Sequence, residues 1–409
     1  MLMLRKHNHL KICSVSLFLI FVFLTFTSNG CRLGQIPGLT TAPTPTPEPS
    51  ITVCTAGCDF STIQAAIDAE TTGASDIIGL NDPVHTEAGI RITKNIVIQG
   101  RGVQETIVQA DPNPEAALER VFFVTSGVTV TIRTMTIRHG NPESEPESGG
   151  GIRNEGTLTL ERVVVSDNSG SAGGGILNDG TLTLIDSTIS GNTARGGGDA
   201  QVECDTGGGM KIMRGKVTLV NSTISNNKAK GKGGGVHVAC NGVLVLVNST
   251  ISGNYTNNYG GGIFLNGVGE FTHSTISGNN ANTGGGVVFS GSGEKGLIRG
   301  QLNYTNTIIA NNTARLEKYG VADCLLGDYG TIAVNSNNWV GDGNCNATFS
   351  SDPLLGLLAD NGGNTQTHAL LPGSLAIDAL QPEYCILQID QRGLPRITPC
   401  DIGAYEVQR

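Results

Sequence analysis

Gly-Gly-Gly-Ile-Arg-Asn-Glu-Gly-Thr-Leu-Thr-Leu occupies positions 149–160, and Gly-Gly-Gly-Ile-Leu-Asn-Asp-Gly-Thr-Leu-Thr-Leu occupies 173–184. Triple glycines return at 207–209, 233–235, 260–262 and 284–286. A second phrase keeps step with the first: Ser-Thr-Ile-Ser-Gly-Asn at 187–192, 249–254 and 274–279, and Ser-Thr-Ile-Ser-Asn-Asn at 222–227. Repetition at this period marks a solenoid, in which no unit buries a core alone and stacked units bury a continuous one.

Within each unit apolar and polar residues alternate, the period of a strand. Ile152, Leu158, Leu160 and Val165 recur as Ile176, Leu182, Leu184 and Ile189, then as Met210, Val217, Leu219 and Ile224. Each unit therefore supplies three short strands, and the glycines supply corners that need positive φ or close backbone approach. The fold this predicts is an all-β, right-handed parallel β-helix whose coils stack at roughly 4.8 Å. In the Ser-Thr-Ile-Ser phrase, isoleucine points inward and threonine outward. Asn192, Asn227, Asn254 and Asn279 fall in one column at a bend, where side-chain amides can bond along the stack, a structural role.

Composition agrees. The chain has 58 glycines in 409 residues, about twice the ~7% average usage, as many tight corners require. A net charge of −9 argues against nucleic acid or a general membrane surface as partner.

Arg5, Lys6 and Lys11 precede an apolar run from Val15 to Phe26, too short to span a bilayer but suited to a secretory signal. Thr27-Ser28-Asn29-Gly30 and then Cys31 follow, which resembles a bacterial lipoprotein signal with Cys31 as the lipidated residue. Such signals carry leucine where this chain has Ser28. Residues 1–30 are thus expected to be a signal peptide, and 31–50, with alternating prolines from Pro43 to Pro49, an extended linker. The implied location is extracytoplasmic, at the cell surface or secreted, with the membrane reached through a lipid on Cys31.

The β-helix is expected over 51–350. Near its start, Ile63, Ala66 and Ile67 have helical spacing, with Ser61 or Thr62 as N-cap. Thr62-Ile63-Gln64-Ala65-Ala66-Ile67 resembles the capping helix of pectate-lyase-like β-helices. The triple-glycine and Ser-Thr-Ile-Ser-Gly-Asn phrases are also similar to repeats of polymorphic outer-membrane proteins, which implies adhesion.

From 351 to 409 the repeat stops. Leu371-Pro-Gly-Ser-Leu-Ala-Ile-Asp378, Asp390-Gln391-Arg392-Gly393 and Asp401-Ile402-Gly403-Ala404-Tyr405-Glu406 resemble the choice-of-anchor module of bacterial surface proteins. Members commonly carry a sorting or membrane segment afterwards, and without one here attachment is expected at Cys31.

Eight cysteines remain besides Cys13 and Cys31, an even number behind a secretory signal, which favours disulfides and leaves connectivity open. Pairing between sequence neighbours gives Cys54–Cys58, Cys204–Cys240, Cys324–Cys345 and Cys385–Cys400. No Cys-x-x-Cys pair or histidine cluster points to a metal, and no cofactor is implied.

The pectate-lyase-like resemblance implies a search for catalytic groups: a basic residue with calcium-binding acids for a lyase, paired carboxylates for a hydrolase. The acids between 157 and 312 are scattered and do not stack at coil spacing. The densest polar feature is cationic. Counted from the triple glycines, Arg153, Leu177, Lys211 and His237 share a column, with Arg214, Lys216 and Lys232 nearby. These residues offer contacts for an anionic ligand or a lyase base; a solvated charged face is the simpler alternative. His273 and His368 are expected to be structural or exposed. The sequence therefore points to a surface-displayed β-helix that adheres or binds polysaccharide without catalysis, the alternative being a polysaccharide lyase or hydrolase. The interruptions at 141–148 and 195–206 are where loops would project.

Overall fold

A computed structural model describes residues 48–142, 148–196, 207–291, 300–316 and 322–408, apart from the side chain of Cys240. The signal and lipidation site expected at 1–31, most of the linker, and Cys204 with its expected partner side chain lie outside these residues.

The chain is a right-handed parallel β-helix. Its strands pair in register with those one coil away: Thr157–Glu161 with Thr181–Ile185, and Thr188–Ser190 with Thr223–Ser225. Three faces result. The first carries triplets such as Ile152–Asn154 and Ile176–Asn178. The Thr-Leu-Thr-Leu strands form the second, and the Thr-Ile-Ser strands the third. A row of two-residue strands from Ser169–Gly170 to Thr313–Ala314 adds a narrow fourth strip that the alternation was too short to reveal. Inward side chains from Val53 to Val340 make one continuous core.

Each glycine of a triplet has its own reason. In 173–175, Gly173 has φ +57°. A Cβ on Gly175 would sit 2.7 Å from the Gly209 carbonyl of the next coil and 3.0 Å from the Asn192 carboxamide. One glycine turns the chain, and those after it let neighbouring coils touch.

The asparagine column is a hydrogen-bonded ladder, longer than the repeat phrases indicate. Each Nδ2 donates to the next Oδ1, from Asn168 through Asn192, Asn227, Asn254 and Asn279 to Asn312, at 2.9–3.0 Å. The last rung is a carboxylate: Asn312 donates to Asp323 Oδ1 at 3.0 Å. Burial pushes the Asp323 pKa from 3.8 up to about 6, helped by the charge of Asp342 and opposed by the bonds from Asn312. With its folded pKa above its unfolded one, Asp323 holds a proton in the folded chain that the unfolded chain has released. Its contribution to stability is therefore largest below about pH 4 and declines as pH rises to about 6. Asp323→Asn should raise stability at neutral pH by on the order of 2–3 kcal/mol and flatten that slope, read as thermal midpoints across the range.

The helix Ile63–Asp68 caps the first coil, burying Ile63, Ala66 and Ile67. Thr62 is the N-cap, its Oγ1 accepting from the Ala65 amide at 3.1 Å. Glu87 accepts from the Ile63 and Gln64 amides at 2.8 Å each, putting negative charge at the helix N-terminus. Among the described residues no helix is long and apolar enough to cross a membrane.

Disulfides join Cys54–Cys58, Cys324–Cys345 and Cys385–Cys400. Residues from 353 onward double back along the third face. Thr223 donates to the Gln366 carbonyl at 2.7 Å, Thr250 to Gln391 Oε1 at 2.6 Å, and Thr275 accepts from the Ala404 amide at 3.1 Å. Thr223, Thr250 and Thr275 are thus buried beneath this segment. Ile308 and Trp339, which stand where earlier coils have threonine, pack with Leu370, Ala376, Leu380 and Ile402 in a second apolar cluster.

The same segment follows a corner that the sequence does not announce. Thr134, Arg162, Asp186, Asn221, Asn248, His273, Asn306 and Asn337 all have φ between +45° and +54°. Asn and Asp tolerate this left-handed conformation better than most residues. Asn364 donates to Asp186 at 3.2 Å, Thr365 to the Asn221 carbonyl at 2.8 Å, and Asn306 to the Tyr384 carbonyl at 2.8 Å.

Candidate functional site

The middle residues of the first-face triplets form the column counted from the glycines. Arg153 lies beside Leu177, Leu177 beside Lys211, and Lys211 beside His237. The column extends further both ways, from Arg91 and Phe123 at one end to Phe264 and Val288 at the other.

Over its central coils this column is not a solvated face. Leu177, Lys211, His237, Phe264 and Val288 are all 3% exposed or less. His237 meets the Phe264 ring edge-on at 5.5 Å, and the Lys232 ammonium lies 4.8 Å from the same ring centre. Burial, and then the charges of Lys211 and Lys232, push the His237 pKa down to about 3, so its imidazole is neutral across the physiological range. Lys211 and His237 are neighbours as expected, but their burial removes them from direct contact with a polymer outside.

Arg214 and Lys216 do not join them. An irregularity between Ile212 and Arg214 turns the chain toward the second face. Arg214 is 74% exposed and 3.9 Å from Asp179; Lys216 is exposed beside Thr181. The cationic residues between 211 and 237 are therefore spread over the buried column, the second-face corner and the fourth strip. His273 and His368 are buried, each within hydrogen-bonding distance of a polar neighbour: Asn306 at 2.8 Å and Ser252 at 2.9 Å. Burial lowers both pKa values, leaving neutral structural imidazoles.

Where the column opens, at its N-terminal end, a different cluster stands. Three guanidiniums surround the half-buried Phe123 ring: Arg91 at 4.7 Å from its centre, Arg153 at 5.6 Å and Arg120 at 5.7 Å. Arg91 is exposed, Arg153 has 20% side-chain exposure, and Arg120 is buried. Each is positioned separately. The capping helix holds Arg91: its amide donates to Gln64 Oε1 at 2.7 Å, and Gln64 Nε2 donates to its carbonyl at 3.2 Å. Glu155 holds Arg153 through an ion pair of 2.8 Å. Arg120 donates to the Ser148 carbonyl at 3.4 Å. Of these residues only Arg153 is found by counting from a triple glycine. Arg91 and Phe123 lie in coils without one, and Arg120 projects from a loop.

A guanidinium presents a planar fork that fits a carboxylate, and an aromatic face offers an apolar platform beside it. The arrangement can hold an anionic group against an apolar surface. Among the described residues no three of His, Cys, Asp or Glu gather closely enough to hold a metal ion.

No family model matches the chain, and no curated protein does. Two solved structures are similar in part. One is pectate lyase Pel9A, with a TM-score of 0.48 and 13% identity over 85% of this chain and 91% of that one. The other is a pectin methylesterase variant in complex with a hexasaccharide, with a TM-score of 0.34 and 15% identity over 64% of this chain and 79% of that one.

Proposed function

We propose that this chain is an extracytoplasmic, surface-displayed β-helix that binds acidic polysaccharide without catalysis, through the open N-terminal end of its first face. The observation carrying this reading is the set of three guanidiniums around Phe123, two of them reachable from solvent. Arg91 and Arg153 would bind uronate carboxylates, Phe123 would carry the sugar ring, and Arg120 would add positive potential from below. Thr223 and Thr250 of the third face are covered by the chain's own C-terminal residues and the centre of the first face is buried, whereas Arg91 at this end is exposed. In this reading residues 1–30 are a signal peptide, Cys31 carries lipid, and 31–50 hold the β-helix of 51–350 away from the membrane. The resemblance of 351–409 to choice-of-anchor modules, and of the repeats to polymorphic outer-membrane proteins, fits display and adhesion.

Calorimetric titration of the full chain with an oligogalacturonate and with its neutral galactose counterpart tests the proposal. Tighter binding of the acidic ligand is expected, weakened about tenfold by Arg91→Ser or Arg153→Gln and by added salt. Equal affinity for both ligands, or no effect of either substitution, overturns it. Unsaturated product absorbance during the titration would favour a lyase instead.

A further inference from the structure

We infer a second binding site, for a neutral hydroxyl-rich saccharide, in the groove at the corner between the third face and the fourth strip. The groove has a volume of about 490 Å³ and is lined by Glu115, Asn141, Asp167, Ser169, Thr193 and Arg195, with Pro114 the one apolar side chain among the described residues. That volume falls within the roughly 300–1,000 Å³ usual for small-ligand sites.

Its floor departs from the repeat. The residue preceding each ladder asparagine is Asp167, Gly191, Asn226, Gly253, Gly278 and Asn311 in successive coils, all with positive φ. Asp167 alone among them is a carboxylate. A Cβ on Gly191 would sit 2.7 Å from Asp167 Oδ1, so glycine at that place leaves the carboxylate its room. In the fourth strip Ser169 and Thr193 pair here, whereas the next coil brings Lys228.

The wall is fixed. Asn113 receives Glu115 in a turn, its Oδ1 accepting from the Glu115 amide at 3.1 Å and its own amide donating to Asp111 at 2.8 Å. The loop is tied to the next coil by the Asn141 amide donating to the Glu119 carbonyl at 2.8 Å. Arg195 donates to Asn141 Oδ1.

The chemistry selects the ligand. Two carboxylates accept hydrogen bonds from vicinal hydroxyls, and the Thr193 hydroxyl supplies a donor for ring and hydroxyl oxygens. The carboxylates repel a uronate, and with no third His, Cys, Asp or Glu gathered among the described residues the groove does not offer a metal cage. The site differs in place and in ligand charge from the arginine cluster and does not rest on it.

The test is titration of the full chain with neutral gluco-, galacto- and manno-oligosaccharides, followed by ligand-observed magnetic resonance. Saturable binding of at least one is expected at millimolar concentration or below. Asp167→Gly reproduces the residue of later coils, and with Glu115→Gln it should weaken binding by about tenfold or more. Both positions are exposed, so the thermal midpoint should hold, and Arg91→Ser should leave neutral-sugar affinity unchanged. Absence of saturable binding by every neutral oligosaccharide overturns the inference, and so does binding that survives both substitutions.

Discussion

Asn254→Ala is expected to destabilise the protein by about 3–5 kcal/mol, because it removes a rung from the middle of the ladder. Asn254 Oδ1 accepts from the Asn227 backbone amide at 3.0 Å and from Asn227 Nδ2 at 2.9 Å. Its Nδ2 donates to the Ile224 carbonyl at 3.0 Å and to Asn279 Oδ1 at 2.9 Å. All these groups are buried, so loss of the carboxamide leaves them without that partner. The loss should appear in the urea midpoint. Because coils contact only their neighbours, it should also appear as proteolytic sensitivity of the coils around 227–279 before the rest. An unchanged midpoint would show that the ladder is incidental to stability.

Arg396→Met is expected to cost a similar amount by a different route. Arg396 and Glu406 are each 1% exposed and pair at 3.2 Å. The Arg396 guanidinium also donates to the Gly403 carbonyl at 2.8 Å and to Asn248 Oδ1 at 3.0 Å, joining the C-terminal segment to the coil beneath it. Breaking a buried pair from one side leaves a buried charge and costs about 3–5 kcal/mol. Burial already pushes the Glu406 pKa up to about 7, against the pull of Arg396. Removing that guanidinium raises it further, so folded Glu406 keeps its proton at pH values where the unfolded chain is ionised. The loss should therefore be greater at about pH 8 than at about pH 5. Adding Glu406→Leu to Arg396→Met should abolish that pH difference without restoring full stability, because the Ile397 and Asp401 amides then lose their acceptor. A double variant that keeps the pH difference would contradict this.

The β-helix was legible because each coil must solve the same packing problem, and the solution is spelled repeatedly as Gly-Gly-Gly and Ser-Thr-Ile-Ser-Gly-Asn. The asparagine column could be read for the same reason. Other features leave no repeated spelling. The left-handed corner from Thr134 to Asn337 tolerates Thr, Arg, Asp, Asn and His, so its chemistry varies while its backbone does not. Asp390-Gln391-Arg392-Gly393 and the Asp401–Glu406 phrase are explained by contacts only folding creates. Gln391 reaches Thr223 and Thr250, and Asp390 pairs with Arg392 at 2.7 Å. A local hint of this cover existed in Ile308 and Trp339, apolar residues at outward positions. Counting from the glycines gives the neighbours in the cationic column without giving their exposure. Lys211 and His237 are buried, whereas Arg91, Arg120 and Phe123 belong to coils and loops without the glycine marker.

Arginine footprinting measures directly where an acidic glycan touches the chain. The full chain is treated with phenylglyoxal, with and without an oligogalacturonate, and modification is mapped by mass spectrometry. Slower modification of Arg91 and Arg153 is expected with ligand bound, and unchanged rates at the exposed Arg101 and Arg214. Protection of Arg214 in place of Arg91 and Arg153, or no protection under saturating ligand, would contradict it.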